Sequence, residues 1–306
     1  TTKSIANFIR GCCLNIGLGT VQFGLDYGLS NQNGIPSADA VSSILNLASD
    51  KDIQVLDTAA LYGNSEDVLG AALTRDHPFK IVTKTPHFNK SKIEKVDAET
   101  LTNGFHESLR KTRQSSLYAL LIHHADDLLV NGGEHLINAM LILKDAGLIE
   151  KVGVSVYNEQ QIDKVLDCFK VDIVQLPINV FDQRLLIKGK LKALKSAGIE
   201  VHARSLFLQG LLLMEANDLP KHFEPARELL TKYHDFLTRN KMTKVQGALS
   251  FVKSCTAIDH VILGVSSLHE LKELTDSWCL LADKQLDFSE YACKNESILN
   301  PSNWKL

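Results

Sequence analysis

The chain predicts an α/β fold of the (β/α)8 TIM-barrel type, with an insertion between strand seven and strand eight. Three observations lead there: eight apolar stretches recur along 306 residues, helical periodicity fills the intervals, and chemistry-bearing residues stand where several stretches end. The stretches are CLNIGL at 13–18, IQVLD at 53–57, FKIVTK at 79–84, LYALLIH at 117–123, KVGVSV at 151–156, VDIVQL at 171–176, IEVHARS at 199–205 and HVILGV at 260–265. Several are nearly continuous rather than alternating, the pattern of parallel strands buried on both faces.

After the first stretch, Pro36 and Ser37 open a segment in which Val41, Ile44, Leu45, Leu47 and Ala48 fall at helical spacing. Proline suits a first turn because its missing N–H has no helical partner there. A helix is therefore expected over 37–50. Others are expected over 65–73, 91–113, 134–146, 158–169 and 186–197, with Gly147 and Gly198 as stops. The long departure from this spacing is 206–242, where LFLQGLLLMEANDLPKHFEP precedes a further helix. On the strand-exit side of a barrel that segment is a lid, a substrate wall or a packing insert.

An open dinucleotide-binding sheet has the same strand–helix order, and GLGT at 17–20 invites it. Its fingerprint needs a third glycine three positions after the second and a helix directly following. Gln22 occupies that position, and FGLDYGLSNQNG runs on as loop to Gly34, so the fingerprint fails. No linker divides the chain, and residues 1–306 are expected to form one barrel domain.

With 33 basic and 36 acidic residues, a net charge of −3 and no long block of either sign, nothing suggests a nucleic-acid partner or a polybasic membrane patch. The N-terminal apolar stretch is broken by Arg10 and Asn15, and no run approaches the ~20 apolar residues of a membrane span. Phe8 and Ile9 are expected in a short terminal strand or plug. Six cysteines, at 12, 13, 168, 255, 279 and 293, are too sparse for a disulfide scaffold and contain no CxxC pair. A reducing cytoplasm is expected, with Cys12 and Cys13 packing near the barrel floor.

Asp57 and Tyr62 in VLDTAALYG, Lys84 in IVTK and His123 in LLIH follow successive strands, where a barrel presents chemistry. A phenol, with an ordinary pKa of about 10, serves as an acid at neutral pH if nearby positive charge stabilises its anion. Lys84 supplies the charge, Asp57 holds the ammonium, and His123 polarises a carbonyl or relays a proton. His124 is the rival imidazole. Leu121 and His123 share one strand direction, Ile122 and His124 the other, and alternation alone does not choose. No metal is expected: His123, His124, Asp126 and Asp127 lack an HExxH helix or a distant partner. A retaining hydrolase would need a carboxylate opposed to Asp57, for which the sequence offers only the pair at 126 and 127.

GLGTVQFG at 17–24, LDTAALYGNSEDVLG at 56–70, IVTKT at 81–85, LLIHH at 120–124, KVGVSVYN at 151–158, VQLPINVFDQR at 174–184, FLQGLLL at 207–213 and VILGVSSLHELKE at 261–273 resemble the aldo-keto reductase superfamily over nearly the whole chain. The resemblance implies a barrel reductase with an extended nicotinamide dinucleotide across the strand-exit face. It implies Tyr62 as general acid, Lys84 and Asp57 as its tuning pair, and His123 as the residue facing the carbonyl. It places Ser155 and Gln175 at the nicotinamide carboxamide, and Gly19, Thr20, Arg204, Ser205, Leu206, Gly210, Gly264, Ser266 and Ser267 around the rest of the cofactor.

Three positions depart from that pattern. Val156 stands where the family usually has asparagine, with Asn158 as a substitute from the loop. Arg204 stands where an aromatic residue commonly stacks on the nicotinamide; it is expected to stack through its guanidinium, bind an anionic substrate group or pair at the rim. Gly264 is followed by Val265, Ser266, Ser267 and Leu268 instead of a lysine or arginine for a 2′-phosphate, leaving NADPH as the expected cofactor, NADH as the alternative, and Lys272 as a rim cation. QFGLDYGLSNQNG and ARSLFLQGLLL further resemble reductases of surface-polysaccharide and modified-sugar pathways. The implied partner is a small-molecule carbonyl substrate, a sugar or nucleotide sugar, in a pocket drawing on Tyr27, His87, Phe88, Phe207 and Trp304. A cofactor-binding regulatory subunit with little turnover and a barrel epimerase working through transient oxidation are the competing readings. The oligomeric state stays open.

Overall fold

Each apolar stretch becomes a strand in the computed structural model, which describes residues 15–29, 31, 33–281 and 286–304. Phe8, Ile9, Cys12 and Cys13 lie outside the described residues. The strands are β1 (Ile16–Gly19), β2 (Val55–Asp57), β3 (Lys80–Lys84), β4 (Leu117–Ile122), β5 (Ile149–Ser155), β6 (Ile173–Pro177), β7 (Glu200–Arg204) and β8 (His260–Gly264). All neighbouring pairs are parallel, and β1 closes onto β8 with Gly17 opposite Ile262 and Gly19 opposite Gly264.

The two-residue period of a strand layers the barrel interior. Val55, Val82, Tyr118, Ala119, Leu121, Ile173 and Ile262 form an apolar cluster separate from the larger core beneath the helices. Two residues beyond Val55, Val82, Leu121 and Ile173 come Asp57, Lys84, His123 and Gln175. The polar groups thus stand one rung above a dry plug, at the strand-exit end.

One rung below the plug, the floor is polar. Glu200 pairs with Lys151, accepts from Tyr118 Oη at 2.8 Å, lies 2.7 Å from His202 Nε2 and 3.7 Å from His260 Nε2. Glu200, His202 and His260 are, among the described residues, a grouping with metal-ligand atoms, but its carboxylate is already neutralised by Lys151. Burial would raise the Glu200 carboxyl, yet hydrogen bonds from His202 and Lys151 outweigh it and hold it well below the usual carboxylate range. Burial, reinforced by His202, pushes the His260 imidazole down to about 4. Between its ordinary pKa of about 6.5 and that value, the unfolded chain binds a proton that the fold refuses, so stability falls with pH across the window. Allowing for the 19% exposure of its side chain, His260 accounts for a loss of about 2–3 kcal/mol between pH 7 and pH 4. Urea midpoints measured across that range should fall less steeply in His260→Gln; parallel slopes for the two proteins would refute the assignment.

The helices that cover the sheet are α1 (Ala38–Asp50), α2 (Ser65–Ala72), α3 (Lys95–Thr112), α4 (Glu134–Asp145), α5 (Glu159–Cys168), α6 (Lys190–Ser196), α7 (Arg227–Arg239), α8 (Lys244–Lys253) and α9 (Leu268–Leu280). α1 is capped by Ser37, whose side chain accepts from the Ala40 N–H, and buries Val41, Ile44, Leu45 and Ala48 as its spacing predicts. Gly147 and Gly198 take the left-handed conformation expected of stops, with φ 72° and 74°. Two expected helices are corrected. The one over 91–113 starts at Lys95, because Glu94 and Asp97 form a capping box there. The one over 186–197 is a short turn, Arg184–Ile187, and α6, divided by Gly189 with φ 71°.

The insertion opens with short 3-10 turns and ends in α7. Leu206, Leu208, Leu211 and Leu212 in it are buried, so its first part is a packed wall. Ser205, Leu208 and Gln209 all have positive φ, a cluster of left-handed non-glycine residues held by that packing. Among the described residues no helix is long and apolar enough to cross a membrane.

Candidate active site

Lys84 is 1% exposed and donates three hydrogen bonds: to Asp57 Oδ2 at 2.7 Å, to the Thr58 carbonyl at 2.9 Å and to Tyr62 Oη at 3.3 Å. Its ammonium also sits 4.8 Å from the Tyr62 ring centroid. Gln175 Nε2 donates to the other Asp57 oxygen at 2.7 Å, so both carboxylate oxygens are satisfied out of water. Burial works against the Lys84 charge, but Asp57 and then Tyr62 outweigh it and raise its pKa. Burial also pushes the Tyr62 phenol above its ordinary value, with Lys84 pulling it part of the way back.

Tyr62 is held by close backbone contact between its own turn and the short helix Val21–Gly24. A Cβ on Gly24 would fall 2.0 Å from the Tyr62 carbonyl, and one on Gly63, whose φ is 58°, would fall 2.3 Å from the Gly24 carbonyl. Only glycine fits at either position. Thr20 binds the same region, with its N–H and its hydroxyl donating to the Asp57 carbonyl at 2.9 and 3.1 Å.

His123 meets Tyr62 edge-on, with ring centroids 5.8 Å apart, and lines the same cavity. His124 lies 3.7 and 3.8 Å from Asp126 and Asp127 and does not line it. Of the two imidazoles, His123 is the one that faces the cavity. Burial, then the charge of Lys84, drives the His123 imidazole down to about 2, so it is neutral. Asp126 accepts from Gln161, and Asp127 accepts the N–H groups of Phe88 and Asn89. Both carboxylates of that pair are structural.

The cavity has a volume of about 580 Å³. Of the residues expected around a cofactor, Gly19, Thr20, Ser155, Gln175, Arg204, Ser205, Leu206, Gly210, Gly264 and Ser266 line it. Ser267 does not: its hydroxyl caps α9, accepting from the Glu270 N–H. Lys84 lies behind Tyr62 and Asp57 rather than in the lining. Tyr27 and Phe207 face the cavity, whereas His87, Phe88 and Trp304 do not. His87 packs on His123 at 4.5 Å between centroids, Phe88 against the core, and Trp304 on Phe223 at 4.8 Å.

Ser155 and Gln175 lie side by side at the ends of β5 and β6. Gln175 Oε1 is buried without a hydrogen-bond partner. An acceptor left open beside a serine hydroxyl fits an amide-bearing ligand ring, which offers the missing donor. Asn158 does not take part, since its side chain caps α5 by accepting from the Gln161 N–H at 2.9 Å. Arg204 donates to the Val156 carbonyl at 3.1 Å and to Ser205 Oγ at 3.2 Å, and its guanidinium lies 4.4 Å from the centroid of the Tyr157 ring. Val156 thus contributes its backbone instead of a polar side chain.

Tyr157 and Glu270 line the cavity without having been singled out in the sequence. Tyr157 was legible as an aromatic directly after strand five. Glu270 was legible as the fourth residue of SLHE, a helix-start pattern.

The family described as Aldo/keto reductase family matches residues 15–290. Among solved structures, an aldo-keto reductase from Bacillus halodurans in its holo form is 17% identical with a TM-score of 0.70, covering 90% of each chain. A glycerol dehydrogenase from Gluconobacter oxydans is 19% identical with a TM-score of 0.63, covering 89% of this chain and 94% of its own. At these identities the likeness is one of fold. No curated protein matches the sequence.

Proposed function

The chain belongs to the aldo/keto reductase family, and from that membership we propose that it reduces an aldehyde or ketone with NAD(P)H, Tyr62 acting as general acid. The observation that carries the proposal is the Lys84 ammonium, fixed by Asp57 and donating to Tyr62 Oη at 3.3 Å. When bound, the reduced dinucleotide supplies the hydride that goes to the carbonyl carbon. Tyr62 supplies the proton to the carbonyl oxygen and becomes a phenolate stabilised by Lys84. His123, neutral and lining the cavity, offers an N–H to the same oxygen. Ser155 and the open Gln175 Oε1 are suited to the carboxamide, with Gly19, Thr20, Arg204, Ser205, Leu206, Gly210, Gly264 and Ser266 along the cofactor.

We assign the substrate to sugar-like carbonyl compounds. Arg204 lines the cavity as a charged donor, and Tyr27, Tyr157 and Phe207 add flat surfaces suited to a sugar or its nucleotide. The chain is further proposed to act as a single barrel domain in the cytoplasm. Free thiols at Cys168, Cys255 and Cys293 favour that compartment, while Cys279 is disulfide-bonded and counts against it.

The protein should bind a reduced nicotinamide dinucleotide, seen as quenched intrinsic fluorescence, and oxidise it when given sugar aldehydes. Failure to bind either dinucleotide would overturn the proposal. The raised Tyr62 pKa keeps the acid protonated at neutral pH, and His123 does not charge until about pH 2. Carbonyl reduction is therefore expected to be level from about pH 5 to 8, with alcohol oxidation rising toward alkaline pH as it requires the phenolate. A reductive limb near pH 6.5 in single-turnover measurements would show that an imidazole titrates in the reaction and sink the neutral role of His123.

A further inference from the structure

We infer that this chain selects NAD(H) over NADP(H), with Glu270 as the residue that discriminates; the inference rests on the reductase reading above. A dinucleotide with its nicotinamide against Tyr62, Ser155 and Gln175 must extend its adenosine toward the other end of the cavity. That end is lined by Gly264, Ser266, Glu270, Glu273 and Leu274, at the start of α9.

A helix start ordinarily favours a phosphate, because its free N–H groups point outward. Here Glu270 has taken the donors just ahead of the helix, and the hydroxyl of Ser267 has taken the Glu270 N–H. The Ser266 N–H donates to Glu270 Oε2 at 2.7 Å, and Ser266 Oγ lies 3.1 Å from each carboxylate oxygen. Asn33 Nδ2 adds contacts at 3.4 Å to Ser266 Oγ and to Glu270 Oε1. Gln22 adds another acceptor: its Oε1 is buried without a partner, and a Cβ on Gly264 would fall 2.5 Å from it.

The cations are elsewhere. Among the described residues lining the cavity, Arg204 is the one positive side chain, and it is fixed at the reactive end by Val156, Ser205 and Tyr157. Lys272, expected at the rim, pairs instead with Asp276 and does not line the cavity. A 2′-phosphate entering this end would meet the carboxylates of Glu270 and Glu273, with the Ser266 donors occupied and no counter-charge. A ribose 2′-hydroxyl is itself a donor, and carboxylate oxygens accept from it.

Titration of the purified protein with NADH and NADPH, followed by calorimetry or fluorescence, tests this without any turnover. NADH should bind at least about tenfold more tightly, and 5′-AMP should compete better than 2′,5′-ADP. Glu270→Arg should narrow or reverse the preference by strengthening NADPH, and Glu270→Gln should narrow it without reversal. Equal or tighter binding of NADPH by the unmodified protein overturns the inference and leaves the reductase reading standing. Binding of neither cofactor removes the reductase reading, and this one with it. The comparison in the unmodified protein stands even if a variant fails to fold.

Discussion

Tyr62→Phe is expected to lower reductive turnover by about 10²–10⁴-fold, the usual contribution of a positioned general acid. Phenylalanine keeps the ring, and with it the edge contact to His123 at 5.8 Å and the seat under the Lys84 ammonium at 4.8 Å. What disappears is the hydroxyl that meets Lys84 Nζ. An interaction made only in the transition state shows in kcat and kcat/KM together, so dinucleotide affinity should stay within about twofold. Steady-state kinetics and a binding titration on the same preparation separate the two quantities. Turnover within a factor of ten of the parent would rule out Tyr62 as the acid.

Lys84→Met is expected to damage the fold as well as the chemistry. The substitution keeps volume but strips the counter-charge from Asp57, which is 4% exposed and would retain Gln175 as its side-chain partner. Leaving one member of a buried pair unpaired costs about 3–5 kcal/mol, a large share of a typical domain's stability. Adding Asp57→Asn to the same chain should restore most of that loss, since the remaining groups are then neutral. Activity should not return, because the phenolate of Tyr62 would still lack its ammonium. Urea unfolding of the two single variants and the double variant measures the coupling directly. Additive losses would show that Lys84 and Asp57 do not act as a pair.

Much of this arrangement was legible from strand ends and spacing. Asp57, Lys84 and His123 each stand two residues beyond an apolar strand residue, and that period is written in the sequence. Tyr62 was legible through the glycine beside it, though the reason for that glycine, its backbone contact with Gly24, joins two segments far apart in the chain. The choice of His123 over His124 needed the positions of Asp126 and Asp127, which alternation along one strand does not contain. Arg204 was recognisable as a departure, but not its clasp on the Val156 carbonyl and the Tyr157 ring, which depends on β5 and β7 flanking β6 at the barrel end. The sequence position of Glu270, in the first turn of α9, points to a capping role and not to the cavity. Its carboxylate instead turns back to Ser266, at the cavity rim.

The layered interior has a consequence for how the protein fails. Asp57 and Lys84 belong to the same strands as Val55 and Val82, so a one-residue slip would turn the charged groups outward under the helices and send Leu56 and Thr83 inward. Such a slip breaks the dry plug and strands a carboxylate and an ammonium apart in an apolar layer. No well-folded but miswired barrel is therefore open to this chain. Loss of activity in destabilised preparations should track the fraction of molecules unfolded, each surviving molecule keeping its full rate.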